Sequence, residues 1–316
     1  MRILVTGSTG FIGGHVVHEA LKRGHQVIAL SRSSLPATRE RLADSERLYR
    51  DLSVDGRLDL DGVGINTVVH LAGSVSGSAE EQYRSTVRGT ENLLNAMRQA
   101  GVQRLVGISS ISVLDYVAAL PMSVIDESNP VSKDEREMGL YATLKAKQEV
   151  LFSAFAAEAG NQCVILRPGL VFDETRLTNA HAGIVKGPLC FLVKHEGEIP
   201  VVSVAGVASA ILNAIERNIA GGHVIHLVDD RLPNQKAYLA ALRRRGLLSA
   251  GGIDVPWRML ARLTTVLHAT GKAVGLRGKL PEALLSQSFA ARMKPFRYSN
   301  AKAKRLLGWA PDNRFS

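Results

Sequence analysis

The chain has 316 residues, 46% of them apolar, which is enough to bury a full core and excludes a disordered or fibrous protein. Its net charge of +10 is uneven: residues 231–316 hold 17 Lys and Arg against 3 Asp and Glu (+14), leaving 22 against 26 (−4) for residues 1–230. That asymmetry suits an anionic partner such as a nucleotide diphosphate, an anionic membrane surface or nucleic acid, or else a set of solvated basic helix faces.

The chain opens on a short apolar strand, Arg2–Thr6, without the basic stretch and long apolar core of a secretory signal, so export is not expected. Cys163 and Cys190 match neither a zinc spacing nor a disulfide framework, which points to a reducing cytoplasm and no metal site. After the first strand comes Gly7, Gly10 and Gly13 in a GxxGxxG turn, followed by a helical pattern from Phe11 to Arg23. A glycine turn between strand and helix is the context for dinucleotide binding. Gly7 permits the tight turn, Gly10 the approach of the pyrophosphate and Gly13 the packing of helix on strand, and amides of the helix start face the phosphates. Thr9, Phe11 and Ile12 belong to the same turn and helix start.

A second strand, Gln26–Leu30, ends at Ser31 and Arg32, about 20 residues past the glycines, where an adenosine ribose is expected. An Asp or Glu there would bind the 2′-hydroxyl of NAD, whereas Arg pairs with the 2′-phosphate of NADP, so NADP is favoured over NAD. Further apolar runs at Thr67–Leu71, Arg104–Ser109 and Cys163–Arg167 alternate with helical patterns at Ala79–Ala100 and Tyr141–Ala159. Strands buried on both faces, alternating with helices, predict a doubly wound parallel α/β sheet.

Ser109 and Ser110 end the strand at 104–109, at the carboxyl edge where such sheets bind ligands, with Ser112 as a local competitor. Tyr141 and Lys145 stand four apart on a helix and so share a face; a neighbouring ammonium would favour the phenolate and tune Tyr141 as an acid and base. Beyond Arg167 the alternation falters: Asp173–Pro200 reads as irregular, Val201–Arg217 as strand and helix, His223–Val228 as strand, and the rest as helix with loops. The expected division is a sheet domain of 1–172 and 201–228 and a smaller, mainly helical substrate domain of 173–200 and 229–316, with the substrate in the cleft between them. Residues 256–272 are too short in uncharged run to span a bilayer; an amphipathic helix over the cleft is preferred to one lying on a membrane.

Taken in order, the glycine turn, His70-Leu71-Ala72-Gly73, Ser110 with Val113, Tyr141 with Lys145, Arg167-Pro168-Gly169 and the closing Arg297-Tyr298-Ser299-Asn300 and Leu307-Gly308-Trp309 resemble the extended short-chain dehydrogenase/reductases. This is the NAD-dependent epimerase/dehydratase family, and the resemblance covers nearly the whole chain. It implies an NAD(P)-binding Rossmann fold, with Ser110, Tyr141 and Lys145 catalytic. It places Asp51 and Leu52 beside the adenine, Leu71, Ala72 and Gly73 along the cofactor channel and Arg167, Pro168 and Gly169 at the nicotinamide. It also implies a homodimer. The chain departs from the family at Thr86, where many members carry Asn; at Leu114, where a tyrosine is common; and at Gly206, where an aspartate is usual.

Dehydratases of the family place an Asp-Glu pair after the catalytic Ser or Thr, and Ile111-Ser112 stand here instead, which disfavours dehydration. The expected activity is hydride transfer between the nicotinamide and a substrate hydroxyl or carbonyl carbon, on a small molecule that is either a nucleotide sugar or an apolar alcohol or ketone. A nucleotide-sugar epimerase with retained NAD is the first alternative and a non-enzymatic NADP-sensing protein the second. Nucleic acid is not an expected partner, because Arg243-Arg244-Arg245 before Gly246 reads as a basic helix end with a glycine cap.

Overall fold

The structure is a computed structural model that describes residues 1–32, 42, 44–54, 56, 58–186, 189–217, 219, 221–248, 251–273 and 282–315; parts of the expected 173–200 and 229–316 pieces, and the side chain of Cys190, lie outside that description. In chain order β1 (Arg2–Thr6) leads to α1 (Phe11–Lys22), β2 (Gln26–Ser31), β3 (Glu46–Tyr49) and β4 (Thr67–His70). One helical stretch follows, as α2 (Ala79–Tyr83), a π-helical turn (Arg84–Arg88) and α3 (Gly89–Gln99). Then come β5 (Arg104–Ile108), β6 (Val124–Ile125), α4 (Glu135–Met138), α5 (Leu140–Ala157), β7 (Gln162–Pro168) and β8 (Leu170–Phe172). The remainder is β9 (Gly183–Lys186), β10 (Leu189–Lys194), β11 (Val201–Ser203), α6 (Val204–Glu216), β12 (Gly222–Leu227), α7 (Gln235–Arg244), β13 (Ile253–Pro256), α8 (Trp257–Ala273), α9 (Ser286–Met293), β14 (Arg297–Tyr298) and α10 (Ala301–Leu307).

Seven parallel strands form the main sheet in the order β12-β7-β5-β4-β1-β2-β3. Its inner strands are Val, Ile and Leu runs buried throughout, as strands covered on both faces must be. One face packs Val16, Val17, Ile211 and Trp309 from α1, α6 and the chain end, and the other packs Leu93, Met97, Phe152 and Phe155 from α3 and α5. The chain winds outward in both directions from β1, so the crevice at the carboxyl ends of β1 and β4 is the switch point where ligands of such sheets bind.

The structure departs from the sequence reading at several strands. Residues 173–200 contain an antiparallel hairpin, β9 with β10, to which β13 adds in parallel, so strands occur both there and beyond residue 229. β11 pairs with β8, outside the main sheet. The cause is a close crossing: a Cβ on Gly169 would lie 2.1 Å from the Pro200 carbonyl, and Leu170 N–H donates to that carbonyl at 2.6 Å. The edge strand β3 is polar and mostly exposed, without the apolar signature of its neighbours. Among the described residues no helix is long and apolar enough to cross a membrane.

Gly206 occupies the position where the family resemblance anticipates an aspartate. Its amide is taken by Ser203 Oγ at 2.9 Å and its carbonyl by Trp309 Nε1 at 2.9 Å, and a Cβ would already lie 3.0 Å from Ser203 Oγ. The indole fills the space a longer side chain would need.

Asp229, just beyond β12, is buried with neither carboxylate oxygen hydrogen-bonded; the Ser203 amide approaches without completing a bond. Burial, then the charges of Asp312 and Asp230, push its pKa up to about 7 from 3.8. A carboxyl whose folded pKa is raised adds stability that is complete below its unfolded pKa and is lost as pH rises through the folded one. The melting temperature is therefore expected to fall between about pH 4 and 7, and Asp229→Asn to flatten that fall. An unchanged slope in the variant, read by calorimetry across this range, would refute the assignment.

Candidate functional site

The glycine turn is built by close approach. Gly7 has φ +64°, and a Cβ on it would lie 2.9 Å from Ala72 N. A Cβ on Gly13 would lie 2.1 Å from the Gly7 carbonyl, so α1 can seat against the turn only with glycine there. Gly10 N–H donates to the Gly7 carbonyl at 2.9 Å and caps α1 without any side-chain acceptor, and the first turn carries no acidic residue. The helix start therefore presents unshielded amides and a positive dipole end to an anion.

Gly7, Thr9 and Gly10 form one wall of a cleft of about 730 Å³ that continues past Ser31, Arg32, Asp51 and Leu52 to Leu71, Ala72 and Gly73. Arg50, which the sequence reading did not single out, lines it too. Burial pushes the Asp51 carboxyl up, but hydrogen bonds from the Ser53 hydroxyl and amide and the charges of Arg32 and Arg84 bring it below its ordinary value. The inner end of the cleft is lined by Ile12, Ser109, Ser110, Tyr141, Lys145, Pro168 and Gly169. Three expected residues are not brought to it. Gly13 is buried beneath the turn, and Phe11 packs with Arg176, whose guanidinium lies 4.9 Å from the ring centroid. Arg167 turns away into a buried bidentate pair with Glu149, at 2.7 and 2.6 Å.

Ser110 Oγ accepts from the Ser112 amide at 3.2 Å, leaving its own proton to donate. Burial raises the pKa of Tyr141, with the hydrogen bond to Ser110 opposing, so the phenol stays protonated. Lys145 is not among the groups that shift it, contrary to the expectation that the ammonium draws the phenol toward phenolate. That ammonium is itself buried, which lowers its pKa to about 8 against the opposing charge of Glu149. It donates to the Ile108 carbonyl at 2.9 Å and to Gln148 Oε1 at 2.8 Å, leaving one proton for a ligand in the cleft it lines.

Gln148 passes the contact on. Its Nε2 donates to Thr90 Oγ1 at 2.8 Å, and the Thr90 hydroxyl donates its single proton to the Thr86 carbonyl at 2.6 Å. The 2.9 Å contact from His70 Nε2 to Thr90 Oγ1 must then be a donation by the ring. His70 Nδ1 is left as acceptor for the Thr6 hydroxyl at 2.6 Å, and Thr6 Oγ1 accepts from the Ala72 amide at 3.2 Å. Burial, then the charge of Lys145, hold His70 neutral by lowering its pKa to about 3. An unbroken buried chain thus joins the glycine turn to Lys145. Thr86, in the family's Asn position, instead accepts from the Ser74 amide at 3.2 Å.

A second pocket, of about 970 Å³, opens beyond Ser110 and Tyr141, which line both. Ile111, Met138, Leu170, Val171 and Ala291 give it an apolar wall. The Tyr116 and Ser288 hydroxyls donate to the Ile111 and Met138 carbonyls, and the His181 ring to Arg292 O. Arg292 pairs with Glu282 at 3.1 Å, and the Ser112 hydroxyl has no protein partner. Ser110, Ser112 and Tyr141 therefore hold the hydroxyls best placed to serve a ligand.

The profile of the NAD dependent epimerase/dehydratase family matches residues 3–226. The chain is 27% identical to a 4-hydroxy-2-methyl-3-oxo-4-farnesyl-3,4-dihydroquinoline-1-oxide ketoreductase of Stigmatella aurantiaca, over 98% of this chain and 92% of that protein. It is 30% identical to a 3 beta-hydroxysteroid dehydrogenase/Delta 5-->4-isomerase of Mycobacterium tuberculosis, over 98% and 86%. The fold is similar to that of MoeE5 in complex with UDP-glucose and NAD, with TM-score 0.67 and 21% identity over 99% of this chain and 94% of that one.

Replacing Gln148 by Leu keeps the volume but strands the buried Lys145 ammonium and Thr90 together. Leaving such groups unsatisfied costs about 1–3 kcal/mol, more for the charged one. The denaturant midpoint is expected to fall accordingly at unchanged m-value, and a midpoint equal to wild type would mean that the chain carries no stability.

Proposed function

Because the chain belongs to the NAD dependent epimerase/dehydratase family, we propose that it is an NAD(P)-dependent oxidoreductase interconverting a ketone and a secondary alcohol on an apolar substrate. One observation carries the reading: Ser110 and Tyr141 stand where the glycine-walled cleft meets the apolar pocket, so a carbonyl placed there meets both hydroxyls. Gly7, Gly10 and the amides at the start of α1 would hold the pyrophosphate. Ser31, Arg32, Arg50, Asp51 and Leu52 would hold the adenosine, and Leu71, Ala72, Gly73, Pro168 and Gly169 the nicotinamide end. The nicotinamide supplies or accepts the hydride.

In the reducing direction Ser110 donates a hydrogen bond to the carbonyl oxygen and orients it. Tyr141, held as the neutral phenol, gives its proton to that oxygen as the carbon becomes tetrahedral. Lys145, with two protons fixed by Ile108 and Gln148, would turn its third toward the cofactor end of the cleft that it lines. The named activities of the ketoreductase and the hydroxysteroid dehydrogenase support an apolar substrate. So does the pairing of Arg292 with Glu282, because Arg292 is the one Lys or Arg of the basic last quarter among the described pocket linings. A nucleotide diphosphate would need an unpaired cation there.

Tyr141→Phe is expected to lower kcat by ~10²- to 10⁴-fold, the usual worth of a placed acid or base, with cofactor affinity retained. A turnover near wild type on a ketone followed by NADPH absorbance would remove Tyr141 from the proton path.

For the cofactor, Arg32 and Arg50 beside Ser31 favour the 2′-phosphate of NADP. A charge-assisted contact contributes roughly 1.5–3 kcal/mol, or about 10- to 150-fold in affinity. Arg32→Ala should weaken NADPH by that factor and leave NADH nearly unchanged, as isothermal titration would record. Equal loss for both cofactors would mean that Arg32 does not read the phosphate.

A further inference from the structure

Helix α8 carries two apolar stripes. Leu260 and Thr264 are buried, and Leu260 packs with Val193, Val255, Phe289 and Met293. On the adjoining face Met259 and Leu263, four residues apart and so in one row, leave 59% and 53% of their surface to solvent. Arg258 and Arg262 precede them by one position each, forming an exposed basic stripe beside the apolar one. Residues 255–281 contain five Lys and Arg and no Asp or Glu. At the foot of the helix, Ile253 of β13 is exposed and lies in register with Phe191 of β10, also exposed.

We propose that the outward face of α8 docks the protein on an anionic phospholipid bilayer. An exposed apolar row flanked by cations of one sign is the composition of a helix that lies in the plane of a membrane interface, its apolar side chains among the acyl chains and its cations at the headgroups. Charge selects this occupant. A second copy docking on the same face in a two-fold interface would set Arg258 and Arg262 against their own counterparts. Nucleic acid would meet the cations but leave Met259 and Leu263 without an apolar partner. The docked face adjoins the chemistry, since α8 packs on α9, and Ser288, Ala291 and Arg292 of α9 line the apolar pocket. Delivery of a lipid-dissolved substrate would follow, and that consequence alone rests on the oxidoreductase reading.

Vesicle flotation of the full-length protein tests the docking without turnover. Wild type is expected to float with vesicles containing about a third phosphatidylserine, more weakly with phosphatidylcholine alone, and to be released as salt rises from about 0.1 to 0.5 M. Met259→Glu with Leu263→Glu should lower the partition on the order of 100-fold, and Arg258→Glu with Arg262→Glu should abolish the preference for anionic lipid. Both variants change exposed side chains, so equal melting temperatures confirm that they fold. Wild type remaining in the dense fraction overturns the proposal, as does flotation that the variants leave unaltered. Self-association by sedimentation equilibrium that the Met259/Leu263 variant abolishes, without flotation, also overturns it, in favour of a second copy.

Discussion

A buried ammonium must find acceptors, and the arrangement around the cleft follows from meeting that demand for Lys145. Tyr141, Lys145, Gln148, Glu149 and Phe152 recur at helical spacing on the sheet-facing side of α5. Down that face the chemistry grades from the phenol at the cleft, through the ammonium and its amide acceptor, to a buried carboxylate and then an aromatic ring. Phe152 sets the height of the helix: a Cβ on Gly107 of β5 would lie 2.5 Å from its ring, so the aromatic rests directly on the strand backbone. With that contact fixed, Lys145 reaches the Ile108 carbonyl, one residue further along the same strand. The carboxylate of Glu149 is matched by Arg167 of β7, so neither charge of that pair is left uncompensated in the interior.

Proton bookkeeping along the buried chain leaves a single consistent assignment. Thr90 has one proton, committed to the Thr86 carbonyl, which makes both His70 and Gln148 donors to it. Protonating His70 would put a second N–H against the Thr6 hydroxyl, where an acceptor is required. The neutral ring agrees with a pKa that burial, then the charge of Lys145, lower to about 3. Since Thr6 immediately precedes Gly7, the same chain fixes the strand end from which the glycine turn departs.

Short-range spacing was readable in the sequence, and long-range polar pairing was not. The glycine turn and the Tyr141–Lys145 pair announce themselves because their meaning lies within seven residues, and the alternation of apolar strands with helices announces the sheet. Gln148, Thr90 and His70 carry no such mark: Gln148 and Thr90 meet across 58 positions, and either alone reads as an ordinary polar residue of a helix. His70 stood in a motif that could be quoted, yet its partners lie 64 and 20 residues away. Arg167 misled for a related reason. It is adjacent to Pro168, which does line the cleft, but successive residues of a strand point to opposite faces, and its own face meets Glu149. The β9–β10 hairpin lay within a stretch of mixed polarity where neither period dominates.

The charge of the last quarter had two possible destinations, a ligand inside the molecule or the surface outside it. Arg292 reaches the apolar pocket and arrives already paired with Glu282. Elsewhere Lys304 meets Asp230, Arg314 meets Asp312 and Lys294 serves the carbonyls of Val117 and Ala119. Arg258 and Arg262 remain outward, beside apolar side chains. A positive net charge summed over a segment therefore says little about what its pocket binds. Where each cation finds its counter-charge divides the ones that hold the fold from the ones that face a partner.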